Sequence, residues 1–153
     1  MAEKILIPLD GSKVGEAALQ AVEKMITKFS PDIRIEITLL QVITSITHYV
    51  VAGDAGVPIP YTDIEMNRIK NEATNYLRQI GETLVKFGSD INYKVVNGVA
   101  ADEILKTAEE IGADLIAMST HGRSGISRLA LGSVTEKVLR ASKIPVLVVR
   151  SAK

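Results

Sequence analysis

Short apolar runs alternate along this chain with stretches whose apolar residues recur at helical spacing. Ile5, Leu6, Ile7 and Leu9 form an almost continuous run ending in Asp10-Gly11-Ser12, the pattern of a strand buried on both faces. From Val14 the period changes. Ala17, Ala18, Ala21, Val22, Met25 and Ile26 follow at helical spacing, which predicts an amphipathic helix with Ser12 as its cap. Ser30-Pro31-Asp32 breaks it. Ile33, Ile35 and Ile37 then alternate with Arg34, Glu36 and Thr38 ahead of Leu39-Leu40, a second strand reaching about Ile43.

Further on, Thr62-Asp63-Ile64-Glu65 is a capping box, with Tyr61 and Met66 at the staple positions. The helix it opens carries an apolar stripe of Ile69, Ala73, Tyr76, Leu77, Ile80 and Leu84 and ends at Gly88. Ile91, Tyr93 and Val95 mark a third strand, and Asn97-Gly98 turns the chain. Ile104, Leu105, Ala108 and Ile111 mark a third helix stopped by Gly112, followed by a buried strand over 115–118. A fourth helix spans 133–142, opened by a second capping box, Ser133-Val134-Thr135-Glu136. Pro145 precedes a last strand over 146–149.

Strand and helix thus alternate five strands deep. Such a pattern gives a mostly parallel sheet with helices on both faces, and ligands of these sheets bind outside the carboxyl ends of the strands, where strand order reverses. The candidate residues therefore follow strands: Asp10, Val42, Gly98 and the run from Met118 to Ser133. The stretch from Thr44 to Tyr61 has no clear period and holds Gly53, Gly56, Pro58 and Pro60. It reads as a long loop, either a floppy insertion or a lid over the site.

The 153 residues suit one domain over 1–153. Eighteen basic residues balance eighteen acidic ones, which argues against a nucleic-acid or anionic-membrane partner. The absence of cysteine excludes disulfides, thiolate zinc sites and thiol catalysis. The first apolar run is too short for a signal peptide or a membrane span, so the expectation is a soluble cytoplasmic protein. Neutrality is a cancellation between segments. Arg123, Arg128, Lys137, Arg140 and Lys143 outnumber Glu136 by four charges, whereas Asp102, Glu103, Glu109, Glu110 and Asp114 outnumber Lys106 by four.

Several chemistries are missing. No G-x-x-x-x-G-K-[ST] and no G-x-G-x-x-G occurs. Gly122-Arg123-Ser124-Gly125 is one residue short of a nucleophile elbow. Two histidines, His48 and His121, in no zinc pattern, give no metal site. What remains is Met118-Ser119-Thr120-His121-Gly122-Arg123-Ser124-Gly125, then Gly132-Ser133-Val134-Thr135. A strand end, a small-residue loop and a Gly-Ser helix start together can bind an anion: first-turn N–H groups lack intrahelical partners and the helix dipole favours negative charge. Gly122 and Gly125 permit a backbone nest, and Arg123 and Arg128 would neutralise phosphate. The plainer reading is a loop whose Ser133 only caps a helix.

These residues resemble the universal stress protein family, over nearly the whole length from Lys4-Ile5-Leu6-Ile7-Pro8-Leu9-Asp10-Gly11-Ser12 to Pro145-Val146-Leu147-Val148-Val149. ATP-binding members of that family carry G-x-x-G-x9-G-[ST]. Here Gly122 is followed after nine residues by Gly132 and Ser133, and Ser119 stands at the first glycine position. The resemblance implies a Rossmann-like three-layer α/β sandwich, a five-stranded parallel sheet of order 3-2-1-4-5 with two helices on each face. It implies that Pro8 and Asp10 lie beside base and ribose, that Val42 meets adenine through its backbone, and that Gly98 belongs to the pocket wall. Met118, Ser119, Gly122, Arg123, Gly132, Ser133, Val134 and Thr135 would surround ribose and phosphates. His121, inside the loop, would reach phosphate or brace its own loop; Asp10 also reads as a plain Asx turn and Val42 as a core residue.

The resemblance makes 146–149 an edge strand, and pairing it with the same strand of a second copy would give a homodimer and cover a bare apolar edge. The functional expectation is a stress-response module that binds ATP, with Mg2+ or Mn2+ on the phosphates, and is not an enzyme. A slow ATPase or phosphotransferase on the same site, and a dimer that has lost ATP through Ser119, are the alternatives. No protein ligand to a metal and no catalytic residue is expected.

Overall fold

A computed structural model describes residues 2–85, 88–120 and 131–151. The chain runs β1 (Ala2–Pro8), α1 (Ala17–Ile26), β2 (Arg34–Ile43), β3 (Thr47–Ala52), β4 (Ala55–Pro60), α2 (Asp63–Leu84), β5 (Asp90–Asn97), α3 (Ala100–Ile111), β6 (Leu115–Thr120), α4 (Ser133–Ala141) and β7 (Val146–Arg150). Five strands form one sheet in the order β5-β2-β1-β6-β7, every pair parallel. Numbered among themselves, these strands stand in the order 3-2-1-4-5, as expected.

Side chains of alternating parity divide the core into two layers. Ile5, Ile7, Ile35, Ile37 and Leu39 pack against Ala18, Leu19 and Val22 of α1 and Leu77 and Leu84 of α2. Leu6, Leu40, Ile116 and Met118 pack on the opposite face, against Ala101, Ile104 and Ala108 of α3 and Val138 of α4. Two helices therefore cover each face. Burying one such Leu or Ile is worth about 1.5–3 kcal/mol, so the central strand β1, buried on both faces, anchors the molecule.

Helix ends follow local chemistry, with two departures from expectation. The box at Thr62 forms: its Oγ1 accepts the Glu65 N–H, and the Glu65 carboxylate accepts the Thr62 N–H at 2.8 Å. Gly112 ends α3 in the left-handed region at φ 62°, where a Cβ would be strained. Ser12, by contrast, does not cap α1. That helix starts at Ala17 behind Glu16, because Ser12 is engaged in a tighter turn with Asp10. The box at Ser133 is also absent. Gly132 is the N-cap, Ser133 is already helical, no side chain caps α4, and Glu136 instead holds Arg140 at 2.8 Å.

The stretch expected as a loop is a β-hairpin. β3 and β4 pair antiparallel from Thr47↔Pro60 to Ala52↔Ala55, around a two-residue turn with Gly53 at φ 69°. Such hairpin turns need positive φ, which glycine adopts without strain. Proline at 58 and 60 and two glycines conceal the strand signal from a reading by period.

Candidate functional site

Two features open a crevice at the carboxyl end of the sheet. The β1–β6 ladder comprises only Ile5↔Leu115 and Leu6↔Ile116, while β1 stays paired with β2 as far as Pro8↔Leu40. Beyond Leu6 the chain then leaves β1 towards α1 on one face and β6 towards α4 on the other. This is the reversal point at which open α/β sheets bind ligands. A cavity of about 420 Å³ lies there.

Its lining brings together Pro8, Asp10, Val42, Met118, Ser119, Gly132, Ser133, Val134 and Thr135, nine of the residues singled out from sequence. Gly98 is not among them. It sits one step away, donating its N–H to the Ile43 carbonyl at 3.1 Å, and Ala100 of α3 lines the cavity in its place. At φ 153°, with a Cβ only 2.7 Å from Glu103 Cγ, Gly98 serves the turn. His121, Gly122 and Arg123 lie outside the described residues, as do Arg128 and the proposed nest.

Asp10 is the only charged residue of the described lining. Its Oδ1 accepts the Ser12 N–H at 2.9 Å and the Ser12 hydroxyl at 2.6 Å, and the Ser12 Oγ accepts the Gly15 N–H at 3.0 Å. The Asx turn and the cavity position thus coexist in one residue. Ser119 closes the floor: its hydroxyl donates to the Gly15 carbonyl at 2.7 Å and accepts the Ala18 N–H at 2.8 Å. The side chain at the family's glycine position is spent on the start of α1. Behind this turn the Tyr76 hydroxyl donates to Glu16 at 3.2 Å. Burial, reinforced by the Glu16 and Asp10 carboxylates, pushes its pKa far up, so it remains a neutral donor.

Across the crevice the start of α4 points into the cavity. Thr120, itself buried, orients it by accepting the Gly132 N–H on Oγ1 at 3.4 Å. With no side-chain cap on α4, its first-turn N–H groups are available to an anion. The local basic excess read from sequence is partly neutralised: Lys137 pairs with Asp102 of α3 at 2.8 Å, and Arg140 with Glu136.

The sequence reading missed Val14, Gly15, Gln41, Thr44 and Ile104, which also line the cavity. Gln41 carried a signal. On β2 it shares a face with Ile35, Ile37 and Leu39, so a polar residue there interrupts an apolar face. Its Oε1 is buried without a hydrogen-bond partner among the described residues, and a buried acceptor left unpaired costs about 1–3 kcal/mol. The cavity therefore presents orphan donors at α4, and Gln41 stands on its β2 wall.

Among known proteins, the model of the Universal stress protein family matches residues 1–150. The chain is 35% identical to Universal stress protein MJ0577 of Methanocaldococcus jannaschii, covering 98% of this chain and 96% of that one. The solved structure of MJ0577 superposes with a TM-score of 0.74 at 30% identity, over 99% of this chain and 97% of that one. Two more distant structures share the fold: a universal stress protein in complex with cAMP (TM-score 0.62, 22% identity, 98% of each chain), and an Arabidopsis thaliana family protein with AMP bound (TM-score 0.66, 16% identity, 98% of this chain and 92% of that one). By the extent of these matches, the chain belongs to the universal stress protein family.

Proposed function

We propose that this chain binds ATP at the carboxyl ends of its strands and acts as a nucleotide-dependent signalling module of the cytoplasmic stress response, with no catalytic turnover. Gly132 carries the reading. Its φ of −61° demands no glycine, and a Cβ built on it meets no atom of the described residues within 4 Å. Neither strain nor packing among the described residues accounts for a glycine at this position. An approaching phosphate does, because it needs the bare backbone and the uncapped N–H groups of the first turn. Asp10, the charged residue of the described lining, suits a ribose hydroxyl. The cAMP and AMP of the two distant relatives present the same chemistry.

Residues Gly132, Ser133, Val134 and Thr135 would hold the phosphates, with Arg123 from the adjoining segment. A divalent ion, Mg2+ or Mn2+, would neutralise phosphate charge when bound. Among the described residues no cluster of three or more His, Asp or Glu is assembled to hold a metal, so its ligands would be the phosphates themselves. The 1–153 unit would act as one domain. Its edge strand β7 (Val146–Arg150), paired on one side to β6, would pair on the other with β7 of a second copy.

The test is mass spectrometry of the small molecules released when freshly purified protein is denatured, with calorimetry of ATP and AMP binding. Release of an adenine nucleotide and saturable binding are expected. If neither occurs, the reading fails.

A further inference from the structure

The β3–β4 hairpin forms a sheet of its own, and a two-stranded ribbon alone is at best marginally stable in water. Its outer surface is strongly apolar: Tyr49 is 73% and Val51 79% exposed. No described helix or strand covers that face.

The hydrogen-bond parity shows which edge is open. The Tyr61 N–H donates to the Ile46 carbonyl at 3.0 Å. With the register Thr47↔Pro60 to Ala52↔Ala55, positions 46, 48, 50 and 52 therefore bond inward to β4, as do 55, 57, 59 and 61 to β3. The N–H and C=O groups of the intervening residues point outward. On β4 these are Gly56, Pro58 and Pro60, and the two prolines have no N–H to offer, which blunts that edge. On β3 they are Thr47, Tyr49 and Val51, each with its N–H available; the Tyr49 and Val51 carbonyls are open, and the Thr47 carbonyl, which accepts the Ser45 hydroxyl at 2.7 Å, keeps a second lone pair. One edge of the ribbon is stopped and the other is open.

We propose that β3 pairs with β3 of a second copy of this chain, antiparallel across a two-fold axis at Tyr49. That register uses every outward group: Tyr49 faces Tyr49, and Thr47 faces Val51 in both directions. The segment 46–53 has no Asp, Glu, Lys or Arg, so no like charges oppose one another. The product is a four-stranded ribbon, β4-β3-β3-β4, whose two outer edges both carry the proline stops, so addition ends at two copies. A self-complementary open edge backed by a stopped one is what a closed two-fold contact requires. This contact involves no β7 residue and does not depend on the nucleotide reading.

The test uses the natural lack of cysteine. Tyr49→Cys on the axis would place two Cα atoms about 5.5 Å apart, within disulfide reach, so mild oxidation is expected to give a covalent dimer. Val57→Cys on β4 is expected to give none. Val51→Pro transplants the β4 device to β3: it removes an outward N–H and disturbs no inward bond. This variant is expected to keep its circular dichroism and melting temperature and to show at most half the wild-type mass by light scattering, two copies if β7 also pairs and one if it does not. A monomeric wild type, an unchanged mass in Val51→Pro, or equal cross-linking of both cysteine variants would overturn the proposal. So would recovery of β3 paired with a strand of a different protein.

Discussion

The Ser119 hydroxyl sits between two backbone groups of one turn, 2.7 Å from the Gly15 carbonyl and 2.8 Å from the Ala18 nitrogen. It joins the end of β6 to the start of α1 across the floor of the cavity. Ser119→Ala leaves both backbone groups without this partner. Each such bond is worth about 1 kcal/mol net, so a loss of about 1–2 kcal/mol is expected in urea unfolding. Nucleotide affinity should change by less than about threefold, since the hydroxyl already donates to Gly15 and accepts from Ala18. A tenfold gain in affinity in Ser119→Gly would show instead that the Ser119 Cβ obstructs the site.

Gly15 stands against Asp10. A Cβ built on it would lie 2.6 Å from Asp10 Oδ1 and 3.3 Å from the Ser12 carbonyl oxygen. Gly15→Ala must therefore push the carboxylate out of its turn. Overpacking of this kind costs about 1–3 kcal/mol. ATP affinity is expected to fall at least tenfold, against an unchanged oligomeric mass. Calorimetry checks the first and light scattering the second.

Gly132→Ser sets stability against binding. A serine N-cap accepts the N–H groups of the first turn, and replacing glycine gains a few tenths of a kcal/mol. Those N–H groups are the ones proposed to hold phosphate. The variant is expected to melt slightly higher than wild type and to bind ATP at least tenfold more weakly. Parallel thermal melts and titrations decide this, and undiminished binding would remove α4 from the site.

The Thr62 cap gives a pH signature. The Glu65 carboxylate is held below its ordinary pKa chiefly by the Thr62 backbone N–H, then by the Thr62 hydroxyl. A lowered carboxylate stabilises the fold above its unfolded pKa of about 4.3, and the effect disappears as pH falls through the folded value. Wild type should therefore melt higher than Glu65→Gln at pH 7, and the two should converge in acid. Thr62→Ala should lower the melting temperature by about 2–4 °C, the usual consequence of losing about 1 kcal/mol in a chain of this size.

Periodicity made the sheet legible because the central parts of β1, β2 and β6, at 5–7, 39–40 and 116–118, are apolar and buried. It failed at the hairpin, where both strands are exposed and Pro58 and Pro60 occupy outward positions that need no N–H. Capping failed at Ser12 and Ser133 for one reason. Ser133 lines the cavity and Ser12 is bonded to Asp10, which lines it, so the backbone is arranged around Asp10 or left bare at α4 and local propensity yields to the site. Gln41 and Ile104 went unread because the approach of a side chain to the crevice depends on tertiary placement. Gly98 stands beside the described lining, its N–H bonded to Ile43, because a glycine that serves a turn resembles, in sequence, one that serves a wall.

The short ladder between Ile5 and Leu115 joins positions 110 residues apart. During synthesis at about 5–20 residues per second, β1 would wait on the order of 5–20 s for that partner. β2 arrives early and covers one side of it, but the other side stays bare until most of the chain has been made. The nascent chain therefore carries one open edge of an apolar strand through most of its translation, the stage at which that edge is most exposed to wrong pairing.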